Sequence, residues 1–221
     1  MTQKFTILFD LDGTLIDTAP DLIRAHNHVM KKFGYPTRKL GELKNAVGKG
    51  AKAMMAKANG QWKWFDEKIQ NEMTNEFLSY YGENIFHESK LINGVKEFLN
   101  WCKKESISMG VCTNKTEHLA VDLLKKIGIY DYFEYVAGYN TFEYCKPDPR
   151  HLTTIIEILD GDINKSIMIG DSETDANAAK AAEIPIILLK YGYTEKKSSE
   201  IYHNHLVKDF VGIDKIISEY L

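Results

Sequence analysis

Short apolar runs alternate with amphipathic stretches along this chain, and the way they alternate changes partway through. The run Phe5-Thr6-Ile7-Leu8 reads as a buried strand. From Pro20 to Phe33 the spacing turns helical, with Leu22, Ile23, His26, Val29, Met30 and Phe33 on one face. Thr18 is placed to cap that helix and Gly34-Tyr35-Pro36 to stop it. Residues 37–87 stay helical, with no convincing strand. Leu40–Val47 and Ala51–Ala58 form short helices broken at Gly48-Lys49-Gly50, and Phe65–Tyr81 forms a longer one. After Leu91 strands and helices take turns. Helices are predicted at Gly94–Lys104, Glu117–Ile127, Pro149–Leu159 and Thr174–Ala182, strands at Ile107–Cys112, Tyr135–Ala137, Ser166–Ile169 and Ile184–Leu189. Such alternation predicts an α/β domain with a parallel sheet covered on both faces. An all-helical insert is spliced in after the first strand. The expected division is a core of residues 1–17 and 88–221 and an insert of residues 18–87, placed to cover the strand ends as a lid.

Composition narrows this only slightly. A chain of 221 residues, 44% hydrophobic and 27% charged, has room for one core domain and a small accessory one. The net charge of −3 gives no footprint for nucleic acid. No apolar run approaches the roughly 20 residues of a membrane span. The N-terminus enters a strand at once, without a signal-peptide pattern. Cys102, Cys112 and Cys145 are odd in number and widely spaced, which suggests neither a disulfide framework nor a zinc site. A cytoplasmic protein is expected. The pairs His26/His28 and His203/His205 lack a third ligand nearby, Trp62 and Trp64 read as packing within the insert, and Lys196-Lys197 reads as a solvated loop. The tail from Ser198 to Leu221 reads as a last strand near His205–Val207 and a closing helix, with no chemistry.

The chemistry gathers where strands end. The first strand runs into Phe9-Asp10-Leu11-Asp12-Gly13-Thr14-Leu15. Ligands of open α/β sheets sit at the carboxyl ends of strands. Residues two apart in an extended segment share a side, so Asp10 and Asp12 can converge on one reacting group. One carboxylate can attack as a nucleophile while the other moves protons, and a divalent cation relieves their mutual repulsion. An Asp-Gly hairpin turn is the bland alternative. A calcium loop fits poorly, because the glycine follows the second aspartate directly. Thr113-Asn114-Lys115 follows the next strand and offers phosphate-binding donors at a helix start, or a plain helix cap. Lys146-Pro147-Asp148-Pro149 supplies a cation for an anionic nucleophile and a transferring phosphoryl group, or a solvated lysine. Gly170-Asp171-Ser172-Glu173-Thr174-Asp175 supplies Asp171 for a hard cation, with Asp175 in support, or an ordinary capping pair. Each has an innocent reading by itself. All of them falling at strand ends is harder to dismiss.

Asp10-Leu11-Asp12-Gly13-Thr14, Thr113-Asn114, Lys146-Pro147 and Gly170-Asp171-Ser172 with Asp175 occur in the order seen in the haloacid dehalogenase superfamily, which the whole chain resembles. The resemblance implies a Rossmann-like core with a helical cap inserted after the first strand. Val47-Gly48-Lys49-Gly50, Thr113-Asn114-Lys115 and Tyr191-Gly192-Tyr193 are similar to segments of phosphoglycolate phosphatases. By that likeness Asp10 attacks phosphorus to form an aspartyl-phosphate. Asp12 protonates the leaving alkoxide and then activates water. Mg²⁺ is held by the Asp10 carboxylate, the Asp12 backbone carbonyl and the Asp171 carboxylate. Thr113 and Lys146 bind phosphoryl oxygens, with Asn114 and the backbone amide of Leu11 or Gly13 as weaker candidates. Asp175 and Glu173 stand behind the ligands. Lys49, flanked by two glycines, is the first candidate for contacting the leaving group, ahead of Lys52 and Arg24. The implied partner is a small phosphate ester, acted on by a monomer or homodimer, with no nucleic acid or membrane involved. A broad sugar-phosphate, nucleotide or pyrophosphate phosphatase is the alternative, as is a β-phosphoglucomutase-like phosphotransferase. A dehalogenase has no alkoxide to protonate and no need of Asp12. A phosphonate-cleaving enzyme would need a Schiff-base lysine, Lys49 or Lys52. A non-catalytic protein would be expected to have lost Asp10, Asp12, Lys146 or Asp171.

Overall fold

In the computed structural model, which describes residues 4–47, 50–57 and 66–221, β1 (Lys4–Phe9) is the strand around which the rest is laid out. Ile7, Leu8 and Phe9 are completely buried, as befits a strand covered on both faces. Successive side chains point to opposite faces. Leu8 therefore enters one layer of the core with Leu152, Ile155 and Met168. Ile7 and Phe9 enter the other, with Phe98, Leu99 and Ile213. The Phe9 ring meets Phe133 edge-on at 5.7 Å and Phe98 at 6.2 Å, and stacks on Phe210 at 6.4 Å.

The chain then forms β2 (Ile16–Asp17), four helices α1 (Ala19–Lys32), α2 (Leu40–Val47), α3 (Ala51–Lys57) and α4 (Glu67–Glu83), and β3 (Lys90–Leu91). β2 and β3 pair antiparallel, Ile16 opposite Leu91 and Asp17 opposite Lys90, so the helical segment leaves and rejoins through a two-stranded neck. Next come α5 (Val95–Lys104), β4 (Ser108–Cys112), α6 (Glu117–Lys126), β5 (Tyr135–Ala137), α7 (Arg150–Ile158), β6 (Gly161–Gly170), α8 (Glu173–Ala181), β7 (Ile186–Leu189), β8 (His205–Val207) and α9 (Ile213–Ser218). The main sheet is parallel, in the order β5-β4-β1-β6-β7-β8. After β1 the chain builds outward through β4 and β5, then returns to build the other side. The switch point lies at β1, where such sheets open a crevice. Phe9 stands level with Val111 of β4 and Ile169 of β6, so all three strands release their following residues at one height.

The departures from the expected elements have local causes. Thr18 precedes α1 as foreseen but does not cap it. Its backbone is already helical (φ −96°, ψ −7°), and its hydroxyl is buried without a hydrogen-bond partner. Gly34 does end that helix, at φ +76°, while Tyr35 N–H donates to the Met30 carbonyl at 2.7 Å. α4 starts after Asp66, whose carboxylate accepts the Lys68 N–H at 2.9 Å, and so begins later than Phe65. β6 reaches back to Gly161, ahead of the expected Ser166, with an irregularity in its pairing to β1 between Lys4 and Thr6. Asp162 to Lys165 is polar, and side-chain periodicity says nothing of backbone pairing there. β7 starts at Ile186, because Pro185 has no N–H to give the ladder and contributes only its carbonyl, to Met168. The β2–β3 ribbon is too short to have a sequence pattern.

Candidate active site

A tight turn follows β1, closed by Gly13 N–H to the Ile16 carbonyl at 2.8 Å and Leu15 N–H to the Leu11 carbonyl at 3.1 Å. Gly13 sits at φ +88°, and a Cβ there would overlap the Asp171 carboxylate and the Tyr193 ring. The turn brings Asp10 and Asp12 to one small recess shared with Thr113, Asn114, Lys146 and Asp175.

One ammonium ties the centre together. Lys146 Nζ donates to Asp10 Oδ1 at 2.7 Å and to Asp175 Oδ1 at 2.6 Å. The other Asp175 oxygen accepts Ser172 Oγ at 2.7 Å, Ser172 N–H at 3.0 Å and Asp171 N–H at 3.2 Å. Ser172 and Asp175 thus form a capping box for α8. Asp175 caps α8 and also touches Lys146, with both oxygens engaged by protein donors. Asp171 accepts Tyr193 N–H on Oδ2 at 2.6 Å and Thr14 Oγ1 on Oδ1 at 3.2 Å. Carboxylate oxygens of Asp10, Asp171 and Asp175 lie within 4.8 Å of one another.

Three buried carboxylates share one ammonium, and the imbalance shows. Burial, with Asp175 and Asp12 nearby, pushes Asp10 up to about 7 against the pull of Lys146. Burial, then Asp10 and Asp175, drives Asp171 upward as well. For Lys146 burial opposes the charge, but Asp10 and Asp175 outweigh it and hold the ammonium protonated. A hard cation with oxygen ligands fits such a surplus of buried negative charge.

Asp12 has its own partner. Lys115 Nζ donates to Asp12 Oδ1 at 2.9 Å and Oδ2 at 3.0 Å, and lies 4.5 Å from the centre of the Tyr81 ring of α4. Burial lowers the Lys115 pKa, but Asp12 and Tyr81 together raise it by more. Thr113 is buried at the end of β4, its hydroxyl accepting Lys115 N–H at 3.2 Å. Asn114 Nδ2 donates to the Lys146 carbonyl at 2.9 Å, leaving its own Oδ1 buried without a partner. Above the recess lies a cavity of about 390 Å³ between the helical segment and the strand ends.

Not every expected residue is here. Glu173 turns to Lys196 instead of the carboxylate cluster. Arg24 is engaged away from the recess, by Asp21, Glu88 and the Asn84 carbonyl. Lys49, Trp62 and Trp64 lie outside the described residues, while Lys52 lines the larger cavity. In the sequence, Lys115 and Tyr193 stand out only as members of short motifs. Their sequence signal was position, and their partners, Asp12 and Asp171, are tertiary.

A parallel sheet that gathers paired carboxylates, a hydroxyl and a buried lysine beyond its carboxyl ends is suited to phosphoryl transfer. The chain belongs to the haloacid dehalogenase-like hydrolase family, whose model matches residues 7–189. It is 35% identical over 216 residues to a phosphoglycolate phosphatase of Mesorhizobium japonicum, covering 97% of this chain and 95% of that one. With a phosphoglycolate phosphatase of Agrobacterium fabrum the identity is 36% over 215 residues, 97% and 92% of the two chains. The crystal structure of a predicted phosphoglycolate phosphatase from Haemophilus somnus superposes with a TM-score of 0.91 at 29% identity, over 98% of this chain and 99% of that one. The protein is a phosphoric monoester hydrolase similar to phosphoglycolate phosphatases. Among the described residues no helix is long and apolar enough to cross a membrane.

Proposed function

We propose that this protein hydrolyses 2-phosphoglycolate in a magnesium-dependent reaction that passes through a phosphorylated Asp10. The observation that carries the reading is the clamp of Asp10, Lys146 and Asp175 beside Asp171, at the carboxyl ends of β1 and β6. Asp10 is the oxygen nucleophile: its carboxylate bonds to phosphorus as the ester P–O bond breaks. Asp12 passes a proton to the departing alkoxide, then takes one from the water that attacks phosphorus and frees Asp10. Lys146 and the Thr113 hydroxyl face the charge gathering on the phosphoryl oxygens. The Asp10 and Asp171 carboxylates and the Asp12 carbonyl would hold magnesium, which would supply further charge neutralisation there. Asp175, with both oxygens engaged by Lys146 and the start of α8, sets the lysine and the Asp171 loop in place. Glu173 has no part in this scheme.

In the same reading, residues 18–87 form a cap and residues 1–17 and 88–221 the catalytic core. The cap walls the cavity over Asp12. The names of the relatives support phosphoglycolate as substrate. The free cysteines Cys102, Cys112 and Cys145 suit a reducing cytoplasm. The test is phosphate release with Mg²⁺ from phosphoglycolate, sugar phosphates, nucleotides and pyrophosphate side by side. Phosphoglycolate is expected to lead in kcat/KM by tenfold or more, about 1.4 kcal/mol of discrimination. An even spread across the panel would remove the substrate assignment and leave the phosphatase chemistry.

A further inference from the structure

Two spaces meet at Asp12. The small recess holds Asp10, Thr113 and Lys146, while the 390 Å³ cavity opens toward the helical segment, and both are lined by Asp12 and Asn114. An ester whose phosphoryl group occupies the recess must place its leaving group in the larger cavity, with the scissile oxygen beside Asp12. That cavity is walled largely by apolar side chains, among them Leu22, Met54, Phe77 and Leu119. An anionic leaving group entering it loses water and needs a cation there.

Among the described residues lining this cavity only Lys52 and Lys115 are cationic, and they differ sharply. Lys52 is exposed, whereas the Lys115 side chain is only 5% exposed. Lys115 Nζ spends two directions on the Asp12 carboxylate and rests against Tyr81 of the helical segment. An ammonium has three hydrogens to place and can be shared between two carboxylates, as Lys146 already is between Asp10 and Asp175. In phosphoglycolate one methylene separates the ester oxygen from the carboxylate. A substrate oxygen held at Asp12 therefore carries its carboxylate into the space next to Lys115.

The geometry points to Lys115 as the residue that selects a carboxylate-bearing leaving group, reading the substrate from the core side of the cavity. This rests on the phosphoglycolate reading above and adds the residue that enforces it. The position also accounts for the lysine's place in the chain. Two residues past Thr113, it lets one strand end serve both the phosphoryl group and the group leaving it.

The test compares kcat/KM for phosphoglycolate with that for ethyl phosphate, which presents a neutral leaving group of similar size, in the wild type, K115M and K115R. The two substrates are run on one preparation, so any misfolded fraction cancels from the ratio. The preference for phosphoglycolate is expected to fall about thirtyfold in K115M, the loss of one charge-assisted contact. K115R, which keeps the charge but moves its centre, is expected to fall between K115M and the wild type. A K115M ratio within about threefold of the wild-type ratio would overturn the proposal, showing that Lys115 serves Asp12 alone. If K115M yields no folded protein, K115Q, which also removes the charge, takes its place, and a K115Q ratio within about threefold of the wild-type ratio overturns it. A wild type with no preference for phosphoglycolate contradicts the substrate reading itself, and the selector role goes with it. A wild type that prefers phosphoglycolate, with a K115M ratio within about threefold of its own, contradicts the selector role only.

Discussion

Lys146 divides one positive charge between Asp10 and Asp175, and Asp171 beside them has no ammonium of its own. The cost falls on Asp10, which burial lifts from 3.8 to about 7. A carboxyl raised by folding binds more protons in the folded state than in the unfolded one across that window. Its contribution to stability is complete below about pH 4 and is lost as pH rises through about 7. Magnesium needs the ionised form and works in the opposite sense. The rise in Tm caused by a fixed Mg²⁺ concentration is therefore expected to be larger near pH 8 than near pH 5. Equal rises at both would contradict Asp10 as a ligand. Asp12 is tested by leaving-group chemistry. Asp12→Ala is expected to cost alkyl phosphates about a hundredfold or more in kcat, and an activated aryl phosphate much less, because a good leaving group needs little protonation. Asp10, Asp12, Thr113, Asn114, Lys146, Asp171 and Asp175 could be picked out beforehand because each follows an apolar strand. Lys115 and Tyr193 could not be given roles, since what defines them is a partner far along the chain: Asp12 for one, Asp171 for the other. Glu173 shows the reverse error. It sits inside a motif, yet its charge is claimed by Lys196.

The strands do the aiming. β1 is apolar on both sides because α7 and α8 pack on one face of the sheet and α5, α6 and α9 on the other. Phe9, one residue before Asp10, is locked among three aromatic rings. Phe9→Ala is expected to cost about 3–5 kcal/mol in denaturant unfolding, the range for large-to-small changes in a packed core. A loss under about 1 kcal/mol would mean that this ring cluster does not anchor the strand. Elements with a strong period, such as β4, β5, α5 and α6, lie within a residue or so of where the pattern puts them. Those that strayed were decided by something else: the capping carboxylate of Asp66, the missing N–H of Pro185, and backbone pairing through the polar start of β6. The two-residue strands β2 and β3 exist only because each finds the other.

At the scale of the molecule, a buried side chain ties the start of the helical segment to the chain returning into β3. Asp21, at the start of α1, accepts the backbone N–H groups of His87, Glu88 and Ser89 and the Ser89 hydroxyl, and pairs with Arg24. Burial works against its charge, but these hydrogen bonds win and hold its pKa below the usual carboxylate value. Asp21→Ala would leave several donors unpaired, and a stability loss of about 3 kcal/mol is expected by chemical denaturation. Tyr193 completes the linkage: its N–H holds Asp171, while its hydroxyl bonds to Asp17 and accepts the Ala19 N–H at 2.9 Å. The neck of the helical segment is thus connected to the carboxylate cluster through one residue. Hydrophobic pattern predicts a division into two parts, but these fastenings are polar and long-range, and they show only in three dimensions. The whole arrangement converges on Asp10. The most direct test is to mix enzyme, Mg²⁺ and phosphoglycolate, quench with borohydride, which reduces an acyl phosphate to the alcohol, and locate the modified residue by mass spectrometry. Reduction at position 10 is predicted, and its loss in Asp10→Asn together with turnover. Modification at another residue, or an Asp10→Asn enzyme that still releases phosphate, would contradict Asp10 as the nucleophile.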